Sequence, residues 1–400
     1  MKTGKKGKHP VLRNLAVDIL CAGIALVIFA LFHHVLPRKQ ESVGIVIPNP
    51  YEVQTEDSGE GENTSGSAGK IDPSMILASA GNTAGTWTVT DGGQSTQITA
   101  RGRNNNNNRN NGRNGMNSKG GSALTEAGEE EASDEEASDE DETPMTEKFA
   151  EHYTDEVIVT ENSYSSPDVS ITVTEETTAG GRITYYLADI YIRDITAFRS
   201  AIAKDTFGSG YRDSIEDMAL LNNALIAING DYYGNTNEGV VIRNGVIYRA
   251  NPTNCDVCVL YYDGSMRVMP GSSFSVEEAI AEGAWQAWTF GPALLDTDGS
   301  VLTSFSSTSR ILSANPRTAI GYYEPGHYCM VVVDGRGESA GITLPQLSQL
   351  FSDLGCKAAY NLDGGNSSIM VWQDEIINQP SGGGRESSDA LLITEVKSYE

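Results

Sequence analysis

The chain has 400 residues and carries 54 acidic against 28 basic side chains, a formal net charge of −26. That balance excludes a nucleic-acid binder, because no basic patch is dense enough to meet a phosphate backbone. The basic run Arg101-Gly102-Arg103, followed by Asn104 to Asn108, is small and isolated.

Residues 1–14 form a basic tail with Lys2, Lys5, Lys6, Lys8 and Arg13. A mostly apolar stretch, residues 15–36, follows; its centre from Ile19 to Phe32 carries no charge, and Arg38 and Lys39 mark its far end. About 20 residues at 1.5 Å rise cross a bilayer core, so this stretch predicts an uncleaved transmembrane signal-anchor helix. The excess of basic residues before it places the tail in the cytoplasm and the rest of the chain outside. A cleaved signal peptide needs small residues after the apolar core, and His33-His34-Val35-Leu36-Pro37 is a poor match. Cys21 sits near the start of the apolar run, where a lipid-modified cysteine is not expected.

Residues 37–149 read as a disordered, low-complexity linker. Eleven of the 17 residues from Glu126 to Glu142 are acidic, and low hydrophobicity with dense like charge cannot offset the entropy of ordering. Thr86 to Thr90 has the character of a short strand, but no second half is obvious. A flexible chain of this length spans on the order of 55–60 Å, enough for a tether. Its acidic block reads as a solvated spacer.

Residues 150–400 are long enough for one domain with a sizeable core. Strand signals dominate. Arg182 to Ile192 is β-rich. Val240 to Arg243 and Val246 to Tyr248 flank Asn244-Gly245, a two-residue hairpin signal. Val257 to Tyr262 and Met266 to Met269 flank Asp263-Gly264, and Ala319 to Tyr323 and His327 to Val333 flank Glu324-Pro325-Gly326. Helices are expected at Ser214 to Asn223, Val276 to Ala281 and Leu344 to Leu354, the last capped by Thr343 with Pro345 in its first turn. The expectation is an α+β fold, mostly antiparallel sheet with a few packed helices.

Four cysteines, Cys255, Cys258, Cys329 and Cys356, lie in this domain. Cys255-Asp256-Val257-Cys258 has redox-motif spacing but leads into a strand, not a helix. Zinc would need more ligands than the spacing supplies. Cys329 and Cys356 read as core thiols, and the pairing stays open.

The chemistry concentrates where apolar strands end in Gly-rich polar turns: Ala224 to Gly234, Phe290 to Leu295, Asn315 to Arg336 and Ala358 to Met370. Strand ends converge polar groups on a rigid base. Glycines let backbone N–H groups approach a ligand, and successive N–H groups can form an anion nest. Asp231, Asp334 and Asp363 are candidate acid/base or nucleophilic carboxylates. Arg317 and Arg336 could hold a phosphate in bidentate fashion. Each also has a structural reading, as turn, surface pair or packing. Physics alone reaches an enzyme or binding module for a phosphate- or sugar-like ligand.

In this order, the segments resemble the phosphodiester glycosidase family, whose animal member removes N-acetylglucosamine from a phosphodiester to uncover mannose 6-phosphate. The resemblance spans Ala224 to Thr394. It is strongest from Val331-Val332-Val333-Asp334-Gly335-Arg336 to Asn361-Leu362-Asp363-Gly364-Gly365-Asn366-Ser367-Ser368. The family's Asn-Gly element falls on Asn229 to Tyr233, its Gly-Pro element on Gly291-Pro292, and its Pro-Arg-Thr-Ala element on Pro316 to Ala319. Asn366 stands where Gly is often seen, and Ile369 where Thr is. The resemblance implies hydrolysis of a sugar-1-phosphodiester. Asp363 leads catalysis, with Asp231 or Asp334 as partner. Asn229, Arg317, Arg336, Gly364, Gly365 and Ser367 bind substrate. No cofactor or metal ligand is read from these residues, and metal dependence stays open. By analogy the partner is a phosphodiester-linked sugar of a surface glycopolymer. The rival readings are a non-catalytic module binding envelope polysaccharide and an envelope-assembly protein.

Overall fold

The computed structural model describes residues 19–24, 26, 37–40, 42–51, 85–91, 94–100, 145–178 and 180–396. Of the expected membrane span, residues 19–24 and 26 are helical; the rest, with the basic tail, lies outside the described residues. Among the described residues no helix is long and apolar enough to cross a membrane.

Every strand pairing among the described residues is antiparallel, and the helices are few and short. A seven-stranded sheet has at its centre Arg317–Glu324, His327–Val333 and Thr184–Ile192. A five-stranded sheet has Ala224–Asn229 at its middle, between Met370–Trp372 and Asp389–Thr394. A six-stranded sheet carries the two tight hairpins that turn at Asn244-Gly245 and Asp263-Gly264. Asn244 and Gly245 both have positive φ, 52° and 73°, as such a turn demands.

Inward side chains of all three sheets share one core. Ile190, Met330 and Val332 come from the first sheet, Ile226, Ile228 and Leu391 from the second, and Cys258, Leu260 and Trp288 from the third. The strand His327–Val333 is apolar on both faces, so its alternate residues Cys329, Val331 and Val333 need a second cover. The helix Leu344–Asp353 supplies it with Leu344, Leu347 and Phe351. Thr343 and Gln346 close a capping box at its start. The helix Ile215–Leu221 covers the outer face of the five-stranded sheet with Ile215, Met218 and Ala219.

Parts of the expected linker belong to this assembly. Arg38–Lys39 pairs with Gly208–Ser209, and Ile45–Val46 adds an edge strand beside Val246–Ala250. Ile47 is fully buried. At the other end, Met145 packs against the core and Lys148 reaches Glu324 at 3.0 Å. A strand of two residues is too short for periodicity to reveal, which is why the pairing edge had to be present to identify it. Residues 74–144 form a separate unit. Within it Gly85–Asp91 pairs with Gln94–Ala100, so the strand begun at Thr86 has a second half. The acidic block lies outside the described residues.

Candidate active site

The loop that follows strand Ala358–Asn361 carries Asp363 to the end of the five-stranded sheet. Asn229, fully buried at the end of its strand, holds that loop in place. Its Nδ2 donates to the Asp363 carbonyl at 2.7 Å, while its Oδ1 accepts from Thr318 Oγ1 at 2.7 Å and Ile369 N at 3.3 Å. Asn229 therefore clamps the loop to two strands and has no side-chain atom left for substrate.

Asp363 faces a cleft. Its side chain is 12% exposed, and its Oδ2 accepts from Arg385 Nη2 at 2.6 Å. Its Oδ1 accepts from Gly364 N at 3.0 Å. Burial raises its pKa, and Arg385, Ser367 and the Gly364 amide hold that rise back. Arg385 also donates through Nε to Ser367 Oγ at 2.9 Å. Its guanidinium lies 5.9 Å from the ring centroid of Tyr232, which is 37% exposed. Arg212, Asn235 and Glu386 complete the cleft wall.

Arg385 is the site residue that sequence reasoning missed. It follows Gly382-Gly383-Gly384, all at positive φ, 67°, 79° and 89°. That backbone turns the chain back before the strand Asp389–Thr394, which places Arg385 over Asp363. A Gly-rich polar turn next to an apolar strand was the available signal, the same one that marked the other segments.

Asp231 lines the same cleft as Asp363. Its side chain is fully buried; Oδ1 accepts from Tyr233 N at 2.9 Å and Oδ2 from Thr289 N at 3.0 Å. Its Oδ2 also meets Arg243 Nη2 at 2.9 Å, and the same nitrogen meets Asp389 Oδ2 at 2.8 Å. Two carboxylates thus share one buried guanidinium, whose Nη1 donates to the Ala287 and Ile242 carbonyls. Burial pushes Asp389 up to about 8, and neighbouring Asp231 adds to the rise that Arg243 opposes. Asp389 Oδ1 is buried without a hydrogen-bond partner. In this cluster Arg243 holds both carboxylates in place.

The other expected site residues are placed as follows. Asp334 is buried and accepts from Asn378 Nδ2 at 2.8 Å and Gln379 N at 3.0 Å, so it anchors the 378–379 turn. Burial raises its pKa, opposed by those same bonds. Arg317 is buried, and its guanidinium donates to the carbonyls of Ile342, Ile311 and Ser313. Burial first, and Arg336 second, lower its pKa to about 10. It braces the 311–313 turn, so the expectation of a bidentate phosphate ligand does not fit its surroundings. Arg336 is exposed and bridges Asn366 Oδ1 at 2.9 Å and Asn315 Oδ1 at 2.7 Å, across the outer face of Gly365. The Gly364 and Gly365 amides do not form an anion nest: the first donates to Asp363, the second to the Pro316 carbonyl at 3.0 Å. Ser367 does join the cleft, through Arg385. Among the described residues, no group of three His, Cys, Asp or Glu side chains is arranged to hold a metal ion.

The fold and the site together define an antiparallel α+β domain whose cleft holds Asp363 paired with Arg385, beside Asp231. Residues 222–394 match the family model described as phosphodiester glycosidase. An uncharacterized SPbeta prophage-derived protein, YomE, of Bacillus subtilis strain 168 is 29% identical over 278 residues, covering 62% of this chain and 42% of that protein. The chain thus spans about two fifths of that relative's length. Among solved structures, the catalytic domain of zebrafish N-acetylglucosamine-1-phosphodiester alpha-N-acetylglucosaminidase, auto-inhibited by its pro-peptide, is similar with a TM-score of 0.46 and 20% identity. That likeness covers 57% of this chain and 83% of that one. A hypothetical protein from Synechocystis gives a TM-score of 0.44 at 14% identity, over 57% of this chain and 62% of that one.

Proposed function

We propose that this domain hydrolyses the bond between a sugar's anomeric carbon and a phosphodiester. The observation that carries the reading is the Asp363–Arg385 pair in an open cleft, within a segment that matches the phosphodiester glycosidase family. A phosphate leaving group is already a weak base and needs little protonation, so the usual pair of carboxylates is not required. Asp363 supplies the charge that either attacks the anomeric carbon or activates water there. Arg385, 41% exposed at its side chain, swings part of its fork from Asp363 to the phosphate and stabilises the negative charge as the bond breaks. Tyr232 gives the sugar ring an apolar face to lie against. Asp231, Asp334 and Arg317 then act at one remove, by holding the loops that carry these groups.

The proposed location extends the sequence reading, and the proposed substrate class rests on analogy. An anchor at residues 15–36 puts the domain outside the cytoplasm, where phosphodiester-linked sugars of surface glycopolymers are within a tether's reach. A protease-protection assay on spheroplasts checks this: cleavage of the domain by added protease is expected, and full protection would reject it.

Turnover of sugar-1-phosphodiesters by the full chain tests the activity. Asp363→Asn is expected to lower kcat by about 10²–10⁴-fold, with substrate binding retained. Unchanged turnover in that variant would remove Asp363 from catalysis. Binding of the same compounds with no turnover by the unaltered chain would make the domain a polysaccharide-recognition module instead.

A further inference from the structure

Two thiols meet in the core between the seven-stranded sheet and the helix Leu344–Asp353. Cys329 lies on the strand His327–Val333, and Cys356 follows the end of the helix. They are 1% and 5% exposed, and their Sγ atoms stand 3.7 Å apart. The gap they share lies over Gly321, the residue that pairs with Cys329 on the neighbouring strand. A Cβ at Gly321 would come within 2.6 Å of Cys329 Sγ and 2.7 Å of Cys356 Sγ. The missing side chain at 321 is therefore what lets both sulfurs occupy one space. Their surroundings, Ala319, Val331, Phe351 and Ala359, are apolar, and the Tyr323 hydroxyl is the polar group that reaches the sulfurs.

We propose that Cys329 and Cys356 are the site of a disulfide that ties the end of this helix to the centre of the sheet. A disulfide needs its sulfurs about 2.05 Å apart, a closure within reach of side-chain rotation in that gap. A disulfide-bearing oxidant, such as oxidised glutathione or a thiol oxidase, supplies the chemistry. One cysteine thiolate attacks it, giving a mixed disulfide and releasing one thiol. The second thiolate then attacks the protein's own sulfur and releases the other. Two protein thiols lose two protons and two electrons, and the oxidant leaves as two thiols. Burial holds the Cys329 thiol well above the usual range and closes the core to the oxidant. The bond therefore forms while the chain folds in an oxidising compartment, and native packing afterwards protects it from reductant.

The test uses the full chain, unfolded and refolded in a glutathione redox buffer, then denatured without reductant and alkylated. Peptide mass analysis is expected to find Cys329 linked to Cys356, with Cys255 and Cys258 alkylated. The link closes a loop of 27 residues. Reducing it in denaturant and refolding without oxidant should lower Tm by roughly 5–10 °C. The Cys329→Ala/Cys356→Ala double variant should lose that reductant-dependent difference. Alkylation of both peptides in the refolded, unaltered chain, or a link between any other two cysteines, overturns the proposal without needing the variant to fold. Neither result touches the glycosidase reading, which turnover decides separately.

Discussion

Arg385 holds Asp363 and Ser367 with one planar fork, and this geometry makes specific demands on substitution. Arg385→Gln keeps the length of the side chain's polar reach only in part and removes the charge. It should lower kcat/KM by about 10²–10³-fold, the loss typical of one preorganised donor to a developing anion. Lysine restores the charge but cannot bridge two acceptors as a fork does, so Arg385→Lys should recover only part of the activity. A pH–rate profile separates positioning from mere folding. In the proposed reaction Asp363 acts in its ionised form, so activity should be lost as pH falls through its folded pKa. Burial has already moved that pKa above the usual 3.8, and Arg385 opposes the shift. The acid limb of Arg385→Gln should therefore lie at higher pH than that of the unaltered chain. An unmoved limb would mean that Arg385 does not sense the catalytic carboxylate.

At the scale of an element, the strand Ala224–Asn229 ends against the buried cluster beneath the cleft. Gly230 is required there by close approach: a Cβ would fall 2.3–2.5 Å from the carboxylate atoms of Asp389. Gly230→Ala should therefore displace Asp389 from Arg243 and cost at least about 1–3 kcal/mol as overpacking, more if a buried charge loses its partner. Urea unfolding of the variant measures it, and an unchanged midpoint would contradict the packing. Gly321→Ala belongs to the same class. Its Cβ would meet two sulfurs and Phe351 Cδ1 at 2.8 Å, so a loss of about 1–3 kcal/mol is expected. Local chemistry made several elements legible. Asn244-Gly245 turns its hairpin where expected, because a two-residue turn needs residues that accept positive φ, and the second hairpin turns at Asp263-Gly264 with positive φ at Gly264. Thr343 caps its helix for an equally local reason. The edge strand Ile45–Val46 was not legible, since its only support is a partner about two hundred residues away.

Over the whole molecule, the buried acids set how stability depends on pH. Burial raises the folded pKa of Asp389 above the usual 3.8, against the pull of Arg243. Between the unfolded and folded values the folded chain holds a proton that the unfolded chain has released. Stability should therefore fall as pH rises through that window, with a slope of up to about 1.4 kcal/mol per pH unit for one proton. Asp363 and Asp334, raised by burial in the same direction, add to the early part of the decline. Urea midpoints at several pH values between about 5 and 8 check the sign, and Asp389→Asn should flatten the slope. A midpoint that climbs with pH would place the proton elsewhere.

Sequence alone determined the antiparallel α+β character, the hairpins, the capped helix and the loop that carries Asp363, because each follows from turn chemistry or short-range periodicity. It also marked the segment that proved to match the phosphodiester glycosidase family. Only the tertiary structure decided how each of the three candidate aspartates, all buried, is held. Asp231, Asp334 and Asp363 look alike in sequence, each at a strand end beside glycine or tyrosine. Their roles differ because burial and partner choice are set by packing between sheets. Arg243 holds Asp231, Asn378 ties Asp334 into a turn, and Arg385 pairs with Asp363 in the cleft wall. A charged group buried away from water must find a partner or lose its charge, and those partners are brought together by the fold rather than by proximity along the chain.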